Sequence, residues 1–202
     1  MSHDATPPAW AEHLLRLAVG AGEFDHLSGD LLEQYRVTVL PARGPRGADR
    51  WYVLQVLGFV WRGARGWALL FALGFLARTA FDWLVPTQHF YDRALVTTIT
   101  SASILFIAAF WPAWRSGSVL AGPLFGLATT ALAAPLQITG TLALLAIWHD
   151  PGTQAAISGS GGLDEVFALP FLVMLPAIVI GTIAGLLGAA LASLRRPPAL
   201  RA

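Results

Sequence analysis

The chain reads as an all-α integral membrane protein: a four-helix bundle with a small N-terminal cytoplasmic helical domain. Three features lead there. Four apolar stretches, 67–85, 95–111, 119–148 and 166–194, approach or exceed bilayer-crossing length, since a helix needs roughly 20 apolar residues to span about 30 Å of hydrocarbon. Only 12% of the 202 residues are charged, and 55% are hydrophobic, whereas a soluble domain carries about 25% charged residues. Most of the charge falls in the first 66 residues, so the chain divides into two environments. The expected organisation is a head at 1–64, a four-span domain at 65–196 and a cytoplasmic tail at 197–202.

Composition narrows the chemistry. There is no cysteine, which removes disulfides, thiolate metal sites and cysteine nucleophiles. All 13 basic residues are arginine. Without lysine there is no Walker A lysine and no Schiff-base chemistry. The net charge of +1 does not suggest a nucleic-acid binder. The start of the chain lacks the apolar core of a signal peptide, so insertion is expected to be signalled by the first span.

In the head, Pro8 suits a first helical turn, and Trp10, Leu14, Leu17 and Ala18 recur at helical spacing. Gly20 and Gly22 are expected to break that helix. Phe24, Leu27, Leu31, Leu32 and Tyr35 mark a second amphipathic helix. The run from Pro41 to Gly47 reads as a Pro/Gly loop. A third helix is expected from Asp49 towards Arg62.

Within these helices Gly29, Asp30, Leu31, Glu33 and Tyr35, followed by Arg50, Trp51, Tyr52, Gln55 and Val56, form a pattern. It resembles the bacterial permease prefix domain (type 2), found ahead of macrolide-exporter-like ABC permeases. The resemblance covers about residues 8 to 62. It implies a bacterial inner-membrane protein with a cytoplasmic head, and a docking role for Asp30, Glu33, Tyr35, Trp51, Tyr52 and Gln55. Such permeases carry large extracytoplasmic domains that do not follow here, so the resemblance does not make this chain a complete transporter. It brings no catalytic residue.

Arginine placement sets the expected orientation, because positive residues in short loops stay cytoplasmic. Arg16, Arg36, Arg43, Arg46, Arg50, Arg62 and Arg65 lie in the head, Arg115 follows the second span, and Arg195, Arg196 and Arg201 lie in the tail. Arg93 alone lies in the loops on the other side. Both termini are therefore expected in the cytoplasm. Trp67, Trp83, Trp111, Trp114 and Trp148 sit at span ends, as an interfacial belt would.

The spans contain few polar groups. Arg78 and Asp82 share one face of the first span, with Gly74 on the same ridge. An intramembrane pair of this kind is either an ion- or substrate-handling site or a structural ion pair; the structural reading is favoured. Thr97, Thr98, Thr100, Ser101 and Ser103 open the second span. They are expected to bond back to their own helix more than to line a polar path. Pro123 and Pro135 are expected to kink the third stretch, and Pro170 and Pro176 to bend the fourth. Gly122, Gly126, Thr130 and Ala134 form one small-residue ridge, and Ala177, Gly181, Gly185, Ala189 and Ser193 form another. Such ridges let helix backbones approach, here between spans three and four or against a partner.

The segment 149–165 reads as a flexible external loop. Its Gly-Ser-Gly-Gly run lacks the preceding strand and following lysine of a phosphate cradle. His149, Asp150, Asp164 and Glu165 read as an ordinary acidic loop rather than a cation site. No cofactor is expected. The leading expectation is a non-enzymatic inner-membrane protein partnered by a permease or by itself, within the lipid bilayer. Two alternatives are a small homo-oligomeric transporter or channel using Arg78 and Asp82, and a sensor coupling the 149–165 loop to the head.

Overall fold

The structure is a computed structural model that describes residues 6–85, 90–159 and 162–195. Every element in it is helical: α1 (Ala9–Ala18), α2 (Ala21–Gln34), a π-helical turn (Tyr35–Val39), α3 (Leu40–Leu84), α4 (Phe90–Ser116), α5 (Ala121–Ile147), α6 (Pro151–Gly159), α7 (Gly162–Leu172) and α8 (Met174–Leu194). Among the described residues, four helical segments are long and apolar enough to cross a membrane: the apolar end of α3, then α4, α5, and α7 with α8.

The N-terminal helices enclose their own core. Ala11 and Leu15 of α1, Phe24 and Leu31 of α2, and Tyr35 and Val39 of the π turn pack on Ala48, Tyr52 and Val56 of α3. Pro41 has no N–H to give an α-helical ladder, and the turn ahead of it is widened to π geometry. Tyr35 and Val39, four residues apart, both turn inward there.

The expected Pro/Gly loop at 41–47 is instead helix on both sides of one break. Gly44 takes φ 66° and ψ 175°, a conformation that a side chain disfavours. Pro45 follows with the fixed φ of a first helical turn. From there α3 runs to Leu84 without a further break. The 40 residues after Gly44 extend about 60 Å at 1.5 Å per residue. The third head helix and the first span, expected as separate pieces, are therefore one rod. No structural break marks the expected boundary at residue 64.

Further differences have local causes. Pro123 falls in the first turn of α5, where its missing N–H has no partner to lose. Pro135 lies inside α5, which continues past it. The fourth stretch does divide: α7 ends at Leu172 and α8 begins at Met174, because Pro176 cannot donate to the Leu172 carbonyl. The loop at 149–165 contains a helix. Asp150 caps α6, its Oδ1 accepting from the Gly152 and Thr153 amides at 3.0 and 3.1 Å, and its Oδ2 from the Thr153 hydroxyl at 2.7 Å. Those bonds hold the Asp150 carboxyl below its usual range, the Thr153 hydroxyl contributing most. Residues 160–161 of the Gly-Ser-Gly-Gly run and the tail 197–202 lie outside the described residues. Trp83, expected in an interfacial belt, is 3% exposed and packs with Ile157 of α6 and Val166 of α7.

Inside the bundle α5 packs against α3, α4 and α8. Phe71, Leu105, Ala133 and Ala177 meet at its centre. The tightest seam joins α5 to α8. A Cβ on Gly122 would overlap the Gly181 carbonyl oxygen, and one on Gly126 would stand 2.6 Å from the Ala177 carbonyl. Reciprocally, a Cβ on Gly181 would stand 2.7 Å from the Gly122 oxygen, and one on Gly185 would overlap the Val119 oxygen. Gly122 and Gly126 of one small-residue ridge thus face Ala177, Gly181 and Gly185 of the other within the chain. The N-terminal helices dock on the near end of the bundle through Leu17, Ala113 and Ala121, with Arg115 Nη2 2.8 Å from Glu23 Oε1.

Candidate functional site

The polar chemistry of the bundle collects in the half remote from the N-terminal helices. Arg78 and Asp82 lie one turn apart on α3, and Arg78 Nε stands 3.4 Å from Asp82 Oδ2. The structure adds a third member that sequence reading placed only as a loop charge. Arg93, in the first turn of α4, has Nη1 3.2 Å from Asp82 Oδ1. The same nitrogen donates to the Phe81 and Val85 carbonyls at 2.9 and 3.0 Å. These carbonyls lie at the end of α3, where the helix dipole favours a cation, and the Phe81 oxygen also accepts from the Val85 N–H at 2.9 Å. One carboxylate thus faces two guanidiniums, and the trio ties the end of α3 to the start of α4. Asp82 is nearly buried, its side chain 9% exposed.

Beside this brace lies a cavity of about 210 Å³. Its wall includes Phe71, Gly74 and Arg78 of α3, Thr98 and Ser101 of α4, and Gln137 of α5. Part of the hydroxyl cluster on α4 turns back on its own helix: Thr97 donates to the Arg93 and Ala94 carbonyls, Thr100 to Val96 and Ser103 to Ile99. Thr97, Thr98 and Ser101 line the cavity. Thr97 does both, its hydroxyl bonding back to the helix while the residue lines the cavity.

Gln137 was not singled out from the sequence. It is 1% exposed, and neither its Nε2 nor its Oε1 has a hydrogen-bond partner among the described residues. Thr141, one turn on, is equally buried, and its hydroxyl has no partner among the described residues. An unpaired buried amide costs about 1–3 kcal/mol. The signal in the sequence was an amide inside an otherwise apolar span, where polar groups face a bundle interior or a cavity.

A second, shallower concavity of about 530 Å³ lies at the junction of the N-terminal helices and the bundle. Glu23, Trp111, Trp114, Arg115 and Arg195 line it, and the Arg195 guanidinium sits 3.8 Å from the Trp114 ring centroid.

The six candidate docking residues of the N-terminal region part company. Asp30 and Glu33 are exposed, and Trp51 and Gln55 are half-buried. Tyr35 and Tyr52 are core residues, 2% and 1% exposed, with rings 6.1 Å apart and perpendicular. They hold the three helices together and present nothing to a partner. The Tyr35 hydroxyl donates to Asp49 Oδ1 at 2.7 Å. Burial first, then that bond and the Asp49 charge, push its pKa up to about 12. Against α3's buried Tyr52, Val56 and Val60, the opposite side of the same helix exposes Leu54, Leu57 and Trp61, between 46% and 56% accessible. Comparison with family models, curated proteins and solved structures finds no match to this chain.

Proposed function

We propose that the chain is a non-enzymatic, multi-pass protein of the bacterial inner membrane, with both termini cytoplasmic, that acts as an accessory or regulatory partner of a membrane permease. The exposed apolar ridge Leu54, Leu57 and Trp61 supports this reading most directly. Residues at i, i+3 and i+7 share one helix face. The ridge lies on the part of α3 that flanks the N-terminal core, and exposed apolar surface of that kind marks an interaction site. The occupant argued for is a helix of the permease at the cytoplasmic membrane surface. The acidic pair Asp30 and Glu33 would set its charge preference, and the motif resemblance to permease prefix domains agrees with it.

The test is cross-linking in cells from a photo-reactive residue at Leu57, with Glu33 as a second site. Tyr35, being buried, would capture only its own core. Capture of a permease subunit at both sites supports the proposal. Capture of lipid alone, or of a second copy alone, overturns the permease assignment.

A further inference from the structure

We infer that the concavity where the N-terminal helices meet the ends of α4 and α8 is a cup for the headgroup of an anionic phospholipid, with an acyl chain laid along the α4–α8 seam. Two independent observations lead to it. The first is charge. Among the described residues that line the cup, Arg115 and Arg195 bring two guanidiniums and Glu23 one carboxylate. Glu23 is spent on Arg115, at 2.8 Å. Arg195 meets no carboxylate among the described residues; the face of its guanidinium lies on the Trp114 ring, 3.8 Å from the centroid. Stacking uses that face and leaves the N–H groups around the edge to bind an anion. A phosphate accepts two parallel bonds from such an edge. Trp111 and Trp114 line the same cup at the end of a span, the level at which headgroups lie.

The second observation is where the cup leads. Phe106, Phe110 and Trp114 stack in order along α4, with ring centroids 6.0 and 6.2 Å apart. Trp114 lines the cup, and Phe106 lines an apolar groove whose other wall is Ile180 and Ile183 of α8. Ile107, at the near edge of that groove, lies about 10 Å along the helix from Trp114, within the roughly 15 Å depth of one leaflet. A soluble anion would use the cup and leave the groove empty; a phospholipid uses both. A headgroup of no net charge would not balance the cup. The inference rests on the membrane reading of the four spans and not on the permease, since Leu54, Leu57 and Trp61 line neither the cup nor the groove.

Gly22 offers a variant that separates binding from folding. It lines the cup, and a Cβ placed there meets nothing within 4 Å. Gly22→Glu adds a second carboxylate to the cup while favouring the first turn of α2. Arg195→Gln removes one charge from an exposed position at the end of α8. Arg65→Gln removes an equal charge from an exposed position on α3, outside the cup, and so reports general attraction to an anionic surface.

The experiment titrates the full chain in detergent micelles with dioleoylphosphatidylglycerol, dioleoylphosphatidylethanolamine and glycerophosphate, and native mass spectrometry counts the molecules retained per chain. The expected result is one phosphatidylglycerol held about fivefold more tightly than phosphatidylethanolamine, the value of one arginine near an anionic surface, with glycerophosphate not retained. Arg195→Gln and Gly22→Glu should each bring the two lipids to parity with thermal midpoints held, and Arg65→Gln should keep the native preference. Equal binding of the two lipids by the native chain would overturn the inference. So would an equal loss in Arg65→Gln, which would show diffuse attraction alone. Retained glycerophosphate would assign the cup to a soluble anion and overturn it too. Flotation with liposomes separates the two readings: a chain that floats without the lipid preference loses this inference alone, and one that fails to float loses the membrane reading with it.

Discussion

Tyr35 shows how a core of three short helices accommodates a polar group. Its ring contributes area to a small apolar cluster, and its hydroxyl finds Asp49 2.7 Å away. A phenol is a sound choice there, since its apolar body and single polar tip need only one partner. The raised pKa, about 12 against an ordinary 10, has a consequence for stability. The folded state holds the phenolic proton more tightly than the unfolded state. The corresponding stability is complete below about pH 10 and is lost as pH rises towards about 12, on the order of 2 kcal/mol in all. Tyr52, raised by burial and then by the Glu12 charge, adds to the slope in the same direction. Tyr35→Phe should cost about 1 kcal/mol at neutral pH, the usual value of one such bond. It should also flatten the alkaline loss. Hydrogen exchange of the α2 amides from neutral pH to about pH 11 measures both; parallel slopes in the two proteins would refute the role of the phenol. Asp82 belongs to a different case, a carboxylate shared by two arginines at the end of a helix.

Among the elements, the α5–α8 seam is the most demanding of sequence. Four glycines meet backbone across it, and nothing larger than hydrogen fits at Gly122 or Gly185 without moving a carbonyl. Gly122→Ala should lower stability by about 1–3 kcal/mol, the usual penalty of overpacking. Gly66→Ala, on an exposed face of α3 with nothing within 4 Å, should raise it by about 0.5–1 kcal/mol through helix propensity. Thermal unfolding of the two variants in one detergent reads both signs, and a shift of the same sign in each would exclude the seam as the cause. This seam was legible in the sequence because a four-residue repeat of small residues has one geometric meaning on a helix. The apolar stretches were legible by length for the same sort of reason. The break at Gly44 was not: seven residues containing two prolines and two glycines read as a loop. A loop requires several residues to leave helical geometry, and here a single glycine does so. Nor was α6, whose start depends on the three bonds to Asp150. Gln137 carried a local signal, an amide in an apolar span, but its burial without a hydrogen-bond partner among the described residues depends on the helices packed around it.

At the scale of the whole molecule, the rod from Pro45 to Leu84 is the main mechanical fact. The N-terminal core and the bundle are built on two stretches of one helix, so their relative rotation is set by helical phase. A second contact fixes the same angle: Leu17 of α1 against Ala113 and Ala121, with the Glu23–Arg115 pair beside it. That pair is exposed and contributes at most about 1 kcal/mol, so the apolar contact and the rod bear most of the constraint. Two linkages around one closed loop make the arrangement over-determined, and this yields a sharp test. One alanine inserted after Arg65 advances the phase by about 100° and the length by about 1.5 Å. The N-terminal core then cannot keep both its seat on α4 and an unbroken α3. The absence of cysteine gives a clean background for paired spin labels, at Asp30 and at Leu120. The native chain should give one narrow distance distribution. The insertion should broaden it or move it by several ångströms, while the Tyr35–Asp49 core, internal to one side, keeps its hydrogen-exchange protection. A distribution unchanged by the insertion would mean that the helix absorbs the extra residue locally, and the N-terminal core would then be held by its seat on the bundle alone.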